Sequence, residues 1–481
     1  MDDRSWEERW SEGWLCVLFF LLPLVLHDGY FDITETKTAV YAGLTAIYLS
    51  GMLFLSACGH ALRRPTAGAW AFLLFAGVNC LSSLLFGGRA VLLAPHNRYQ
   101  GALMWPLYAG MVLSLSAFGR FSRAPRRAAL AAFAAVSLLC MLNALHIDPL
   151  RVTEGMRAAD LSRYLSTIGN VNFLGAYVSL LLPMSMAYFC LADTRAELLL
   201  RGAVCALGTG ALLTGSDCGL LGTGAAALLL PWLLRRDDRA LRRLPALIAL
   251  MSLSLRLFAW LLGKGIGLSR PAAALCSLPV TALLLLLSGA LYLFERKADA
   301  PRLAAAAGNY PVLPAALLLA LALFLLLANT LLRDRLPAGI ARFAVFSSGW
   351  GTDRGAVWAH CLTLYRSFSP VKKLIGGGAG CLALYDAAHR LFPDSVLDSA
   401  HNEYLHYLLT GGAVGLGAYL TSLGRALRRC RDGEAEVIPL LAAVIGCAVQ
   451  GAVNIAQCTT TPLLFALLSL LLRDVGEPRN T

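Results

Sequence analysis

The chain alternates between apolar blocks of about 17–24 residues and short polar connections, without helical or alternating periodicity inside the blocks. Such blocks match the roughly 20 residues that cross the hydrocarbon core of a bilayer as a helix. The pattern therefore predicts an all-α polytopic membrane protein with about 12–14 transmembrane helices. The predicted spans are 13–28, 38–58, 68–87, 101–118, 128–146, 171–192, 198–215, 218–234, 243–263, 272–294, 311–332, 402–424, 436–456 and 458–473.

The spacing of the blocks divides the chain into four regions. N-terminal spans (1–160) and middle spans (161–332) precede a long loop (333–400), and C-terminal spans (401–481) follow it. Only QCTTTP separates the last two spans, so these two segments are either two full spans or a re-entrant pair.

Composition supports the membrane assignment. Hydrophobic residues make up 58% of the chain and charged residues 15%, with a mean hydropathy of +0.64. Soluble domains carry roughly 25% charged residues. The net charge of +12 comes mostly from arginines in short loops, which is typical of membrane topology and argues against a nucleic-acid partner.

Basic clusters predict the orientation. Those at 63–64, 120–127, 235–243, 296–302 and 425–431 fall on one side of the predicted membrane, which places both termini in the cytoplasm. The acidic N-terminus lacks the features of a signal peptide, so the first span is expected to be retained. The long loop then faces outward, and loops of this length are usually functional.

The stretch DSAHNEYLHYLL (398–409) is the strongest candidate for chemistry. Asp398 or Ser399 can cap a helix that begins near His401, whose N-terminus would attract an anion. His401 titrates near neutrality and can take a proton from an attacking hydroxyl. Asn402, Glu403 and Tyr404 could orient the ring or bind sugar hydroxyls. A belt of interfacial histidine and tyrosine residues explains the spacing equally well.

Three further segments carry polar residues on the predicted outer side, one inside the long loop and two at the mouths of spans. In DRGAVWAH (353–360), Arg354 can bind phosphate and Trp358 can stack on a sugar or a lipid head group. Simple anchoring at the membrane interface is the alternative explanation for Arg354 and for the segment 86–103, and helix capping is the alternative for the segment 162–177. The additional candidate binding residues in these segments are Arg163, Asn170, Asn172, Arg89 and Arg98.

The sequence predicts neither a metal site nor a nucleotide cofactor. Metal-ligand and phosphate-loop motifs are missing from suitable contexts, and His401 and His406 are five residues apart, the wrong spacing for two ligands on one helical face. Most of the 13 cysteines lie inside apolar blocks; Cys361 and Cys381 share the long loop, where a disulfide could join them.

The segments GNVNFLGAY, DRGAVW, LIGGGAG and AHNEYLHYLLTGGAVGLGAYL, in this order, resemble the bacterial O-antigen ligase/polymerase superfamily of membrane glycosyltransferases. The resemblance covers roughly residues 160–425. It implies a GT-C-like fold in the cytoplasmic (inner) membrane. It also implies transfer of a glycan from an undecaprenyl-diphosphate carrier, at the outer face, to a hydroxyl of a glycan, lipid or protein acceptor.

The resemblance also implies that the transfer needs neither a metal nor a nucleotide, and it implies roles for individual residues. His401 matches the histidine proposed to activate the acceptor, and Arg354 matches an arginine thought to bind the diphosphate. Arg163 is a looser match. The sequence departs from the family at the turn GSDCG, where Asp217 stands in place of a frequent arginine. A polytopic transporter or flippase and a non-catalytic receptor are the rival predictions.

Overall fold

The computed structural model describes residues 4–59, 64–87, 91–94, 98–157, 160–263, 265, 267–389 and 397–473. Of the described residues, 74% are helical. Within the described ranges the only strands are β1 (Tyr164–Leu165) and β2 (Gly169–Asn170), which pair antiparallel. The prediction of an all-α protein is therefore confirmed.

The described helices follow one another along the whole chain. They are α1 Trp6–Leu24, α2 Ile33–Ala57, α3 Ala67–Phe86, α4 Met104–Phe118, α5 Arg123–Ala144, α6 Val171–Cys190, α7 Arg195–Thr214, α8 Asp217–Leu233, α9 Asp238–Leu241, α10 Leu244–Leu262, α11 Arg270–Leu275, α12 Leu278–Lys297, α13 Ala300–Asn309, α14 Val312–Asn329, α15 Ala338–Ala344, α16 Trp350–Ser367, α17 Pro370–Ile375, α18 Cys381–His389, α19 Glu403–Leu427, α20 Ile438–Gly451 and α21 Thr460–Leu471. Each of the fourteen predicted spans overlaps at least one of these helices.

Several helices have the length and composition that a membrane requires. Among the described residues, eight helical segments are long and apolar enough to cross a bilayer, and four shorter apolar helices accompany them. The shorter helices include α20 and α21, which at about 1.5 Å per residue are well below the roughly 30 Å of a hydrocarbon core. The connection between them, 452–459, is mostly buried, with Asn454, Gln457 and Thr459 at 0% exposure. These lengths fit the re-entrant alternative better than two full spans.

Helix α6 forms the centre of the bundle. Every residue from Phe173 to Cys190 is buried, and the helix packs against α7, α8 and α20. Helix α3 packs along α19, and α4 packs along α21. Helices α12 and α14 lie at the periphery, where Leu286 is 71% and Leu319 72% exposed, as expected of side chains that face lipid.

Glycines allow the central helices to approach closely. A Cβ atom at Gly446 of α20 would lie 2.3 Å from the Ser179 carbonyl oxygen of α6. A Cβ atom at Gly222 of α8 would lie 2.4 Å from the Gly446 carbonyl oxygen. These contacts bring three backbones together at one level, as small residues do in helix packing within membranes.

The variant Gly446→Ala is expected to force α20 away from α6 and to lower the free energy of unfolding by about 1–3 kcal/mol. The measurement is the thermal midpoint of the detergent-solubilised protein. Gly224→Ala in α8 is the matched control, because a Cβ atom there would meet nothing within 4 Å. Equal midpoints for the two variants would contradict the packing argument.

Candidate active site

His401 lies immediately before α19 in a strained backbone conformation. Its φ is +48°, which is uncommon for a residue with a side chain and frequent at functional sites. The Asn402 side chain caps the helix by accepting a hydrogen bond from the Leu405 amide at 3.0 Å. A helix does begin near His401 as predicted, at Glu403, but the prediction that Asp398 or Ser399 caps it is wrong, because the cap is Asn402.

Helix α16 of the long loop supplies two of the predicted residues. The Trp358 indole Nε1 donates to the Ala400 carbonyl at 3.0 Å and so fixes the backbone just before His401. The Arg354 Nε donates to the Val453 carbonyl at 3.2 Å, which joins the long loop to the connection between α20 and α21.

Arg98 approaches from the segment before α4. Its Nη2 lies 3.0 Å from Asp398 Oδ1, and its guanidinium lies 5.2 Å from the centre of the Phe173 ring. Arg98 and Tyr99 both have positive φ, at +52° and +59°. Two strained residues in succession are a further sign of a functional segment.

The charges around His401 determine its protonation. Burial, followed by the nearby positive charges of Arg354 and Arg98, lowers the pKa of His401 to about 4, and Asp398 opposes this shift. At neutral pH the imidazole is therefore uncharged and can accept a proton, but the expectation that His401 titrates near neutrality is wrong, because burial and two positive charges disfavour the protonated ring. The structure thus brings together His401, Arg354 and Arg98, which the sequence predicted from three separate segments.

Asn454 follows Val453, whose carbonyl is bonded by Arg354, and connects three segments of the chain. Its Nδ2 lies 2.9 Å from the Asn172 carbonyl oxygen, 2.8 Å from Gln450 Oε1 and 3.0 Å from Cys218 Sγ. The GNVNF helix entry and the GSDCG turn therefore meet at the end of α20. Asp217 of that turn is exposed and accepts a hydrogen bond from Ser269, as expected of a solvated carboxylate.

Glu403 and Tyr404 contact the helix bundle. Glu403 is 3% exposed and accepts a hydrogen bond from the Tyr407 hydroxyl at 2.7 Å. The Tyr404 hydroxyl donates to the Ala448 carbonyl of α20 at 2.6 Å. These bonds hold the first turns of α19 against neighbouring turns and helices, which gives both residues a packing role.

The remaining predicted residues have local partners or lie outside the described residues. The Arg163 side chain is 71% exposed and pairs with Asp160 at 3.6 Å. Asn170 caps α6 by accepting a hydrogen bond from the Asn172 amide at 2.8 Å. Arg89 lies outside the described residues.

Among the described residues, no group of three His, Cys, Asp or Glu side chains is placed to bind a metal ion.

Cys361 and Cys381 are free thiols within one apolar cluster, so the suggested disulfide is not formed. A cavity of about 360 Å³ lies elsewhere, lined by residues that include Asp28, Arg151 and Glu154, and contains none of the predicted site residues.

Sequence reasoning missed several contributors. Asp398 was considered only as a cap, and Asn454 and Phe173 were not considered. The Tyr99 side chain hydrogen-bonds to Glu35, and burial together with this carboxylate raises the pKa of Tyr99. Two signals in the sequence could have identified these residues. Arg98 and Tyr99 directly precede a predicted span, and Asn454 is a polar residue inside a predicted apolar span.

Comparison with known proteins adds no further constraint. No family model, curated protein or solved structure matches the chain.

Proposed function

We propose that this protein is a membrane glycosyltransferase. It would transfer or polymerise a glycan from an undecaprenyl-diphosphate carrier onto an acceptor hydroxyl at the outer face of a bacterial cytoplasmic membrane. The observation that carries the proposal is an uncharged, half-buried His401 flanked by Arg354 and Arg98. A base beside two fixed cations suits a reaction in which a hydroxyl loses a proton and a diphosphate departs.

The reaction needs one bond to form while another breaks. The acceptor oxygen attacks the anomeric carbon, and its proton passes to the imidazole of His401. The bond between that carbon and the diphosphate oxygen breaks, and the electron pair leaves with the diphosphate. Arg354 and Arg98 stabilise this negative charge through charge-assisted hydrogen bonds.

The position of the His401 cluster in the bundle supports a lipid-linked donor. The cluster lies where helices α4, α6 and α19 begin, so it is at one end of the bundle. The diphosphate of a membrane carrier lies at that depth, close to the head groups. In the orientation predicted by the basic loops, this end faces outward.

The test is reconstitution in liposomes with an undecaprenyl-diphosphate glycan and three acceptors: a lipid A core oligosaccharide, a second carrier-linked glycan and a protein with accessible serine residues. Formation of a new glycosidic bond with any of them, detected by mass spectrometry, supports the proposal. Passage of the carrier-linked glycan across the membrane without bond formation would instead identify a transporter or flippase.

The acid limb of the pH profile is expected to differ between kcat/KM and kcat. His401 must be neutral to act as a base, so activity falls as the pH drops through its pKa. In the free enzyme that limb should lie near pH 4. A bound diphosphate offsets the charges of Arg354 and Arg98, so the limb of kcat should lie at higher pH. Coinciding limbs near the ordinary histidine pKa would contradict this arrangement.

A further inference from the structure

Helix α19 is interrupted near its middle. Gly412 has φ +65° and ψ −169°, which separates a first half (403–411) from a second half (413–427). An interruption leaves carbonyl groups without partners inside the helix, and buried carbonyls must be bonded elsewhere. The first half begins just after His401. Groups that bond these carbonyls therefore also hold the start of α19, next to the histidine.

The glycine segment of the long loop (376–380) supplies those partners. The Gly377 amide donates to the Leu409 carbonyl at 2.7 Å, and the Gly378 amide donates to the Thr410 carbonyl at 3.2 Å. A side chain in α3 adds another bond, because the Ser82 hydroxyl donates to the same Thr410 carbonyl at 2.7 Å. The glycine segment is therefore bonded into the interruption of α19.

The glycine segment is also enclosed by α3. A Cβ atom at Gly378, whose φ is +78°, would lie 2.5 Å from the Ser82 carbonyl oxygen. The Ala379 amide donates to the Ser83 hydroxyl oxygen at 3.0 Å. The segment therefore lies between α3 and the interruption of α19, where only a residue without a side chain fits at position 378.

Buried polar side chains complete the attachment. The Thr410 hydroxyl donates to Asn79 Oδ1 at 3.0 Å, and Asn79 is 0% exposed. The Asn79 Nδ2 in turn donates to the Phe75 carbonyl at 2.9 Å within α3. The first half of α19 is thus fixed to α3 both directly and through the glycine segment.

We propose that the glycine segment 376–380 is a positioning element for His401. By satisfying the carbonyls of the interrupted helix, it fixes the first half of α19 against α3, and it ties the long loop that carries Arg354 to the same body. The base and the arginine then keep a constant relative position. The claim about His401 rests on the proposed function, whereas the attachment of the segment can be measured without it.

The test compares Gly378→Ala with Gly380→Ala. Both glycines have left-handed φ, +78° and +79°, so both variants carry similar backbone strain. Only the Cβ atom at position 378 would collide with α3, because a Cβ atom at position 380 would meet nothing within 4 Å. Gly380→Ala therefore controls for backbone strain. Any further difference between the two variants reports the attachment of the glycine segment to α3.

The first readout is maleimide labelling of Cys381 in the full chain, quantified on the isolated peptide by mass spectrometry. The Cys381 sulfur is half-buried and lies 3.7 Å from the Leu409 carbonyl oxygen, beside the glycine segment. Gly378→Ala is expected to label about tenfold faster than the native protein, because local opening exposes the thiol. Gly380→Ala is expected to label at close to the native rate.

The second readout is glycan transfer. Gly378→Ala is expected to lower kcat by about 10–100-fold with little change in KM, since a displaced base slows the chemical step. If Gly378→Ala does not fold, Ser83→Ala removes only the bond to the Ala379 amide and should act in the same direction more weakly.

Two results would overturn the inference. Equal labelling of the two glycine variants would show that the segment is not attached through position 378. Faster labelling with an unchanged kcat would show that the attachment does not position His401. Failure of the native protein to transfer any glycan would refute the proposed function, and the labelling comparison would still decide the attachment.

Discussion

The variant His401→Ala is expected to reduce glycan transfer by about 10²–10⁴-fold, the usual contribution of a general base. The alanine variant keeps the Asn402 cap and the Trp358 contact with the Ala400 carbonyl, so α19 should still form. The measurement is the initial rate of bond formation in the reconstituted system, at equal amounts of inserted protein.

The control for His401→Ala is His389→Ala. His389 lies in the same long loop, is exposed, and bonds through its ring to the Tyr385 carbonyl. Its replacement is expected to leave the rate within about twofold of native, as for surface positions in general. A His401→Ala protein with the native rate would exclude this residue as the base.

The variant Arg354→Gln is expected to reduce kcat/KM by about 10²–10³-fold, comparable to the loss of one donor that stabilises developing charge. Glutamine removes the positive charge that the proposed reaction requires beside the departing diphosphate. It also removes the bond from the guanidinium to the Val453 carbonyl. The loss should fall mainly on kcat, since the charge on the diphosphate increases as the bond breaks.

Arg366→Gln is the matched control for Arg354. It changes an exposed arginine in the same helix, α16, and leaves the cluster intact. Arg354→Lys should retain part of the activity, because a lysine keeps the charge but not the forked donor geometry. If Arg354→Gln and Arg366→Gln had the same rate, Arg354 would have no role in binding the diphosphate.

The positions of the helices could be predicted from the sequence because apolar blocks of span length have few other structures open to them. The ends of a helix were less predictable where the helix continues into polar residues beyond the apolar block. Helix α1 begins at Trp6, well before the predicted span at 13, and Ser5 caps it by accepting a hydrogen bond from the Glu8 amide. Glu8 pairs with Arg473, a residue 465 positions away, so no local pattern contained this information.

The same limit applies to the site. His401 and Arg98 could be proposed because each is a chemically suitable residue beside a predicted span, and Arg354 because it lies in the long outward loop. Asp398 could not be identified as the partner of Arg98, since 300 positions separate them. The positive φ of His401 and the interruption at Gly412 are backbone conformations that depend on tertiary contacts, and neither was predicted.

The short helices α20 and α21 have a consequence for biogenesis. Their polar connection would be unstable against lipid, because its backbone groups would have no partners in hydrocarbon. It is stable here only beside α6 and the turn before α8, which the ribosome makes more than 200 residues earlier. Helices α20 and α21 are therefore expected to pack only after α6 and α8 have formed, so Arg354 gains its bond to the Val453 carbonyl late in folding.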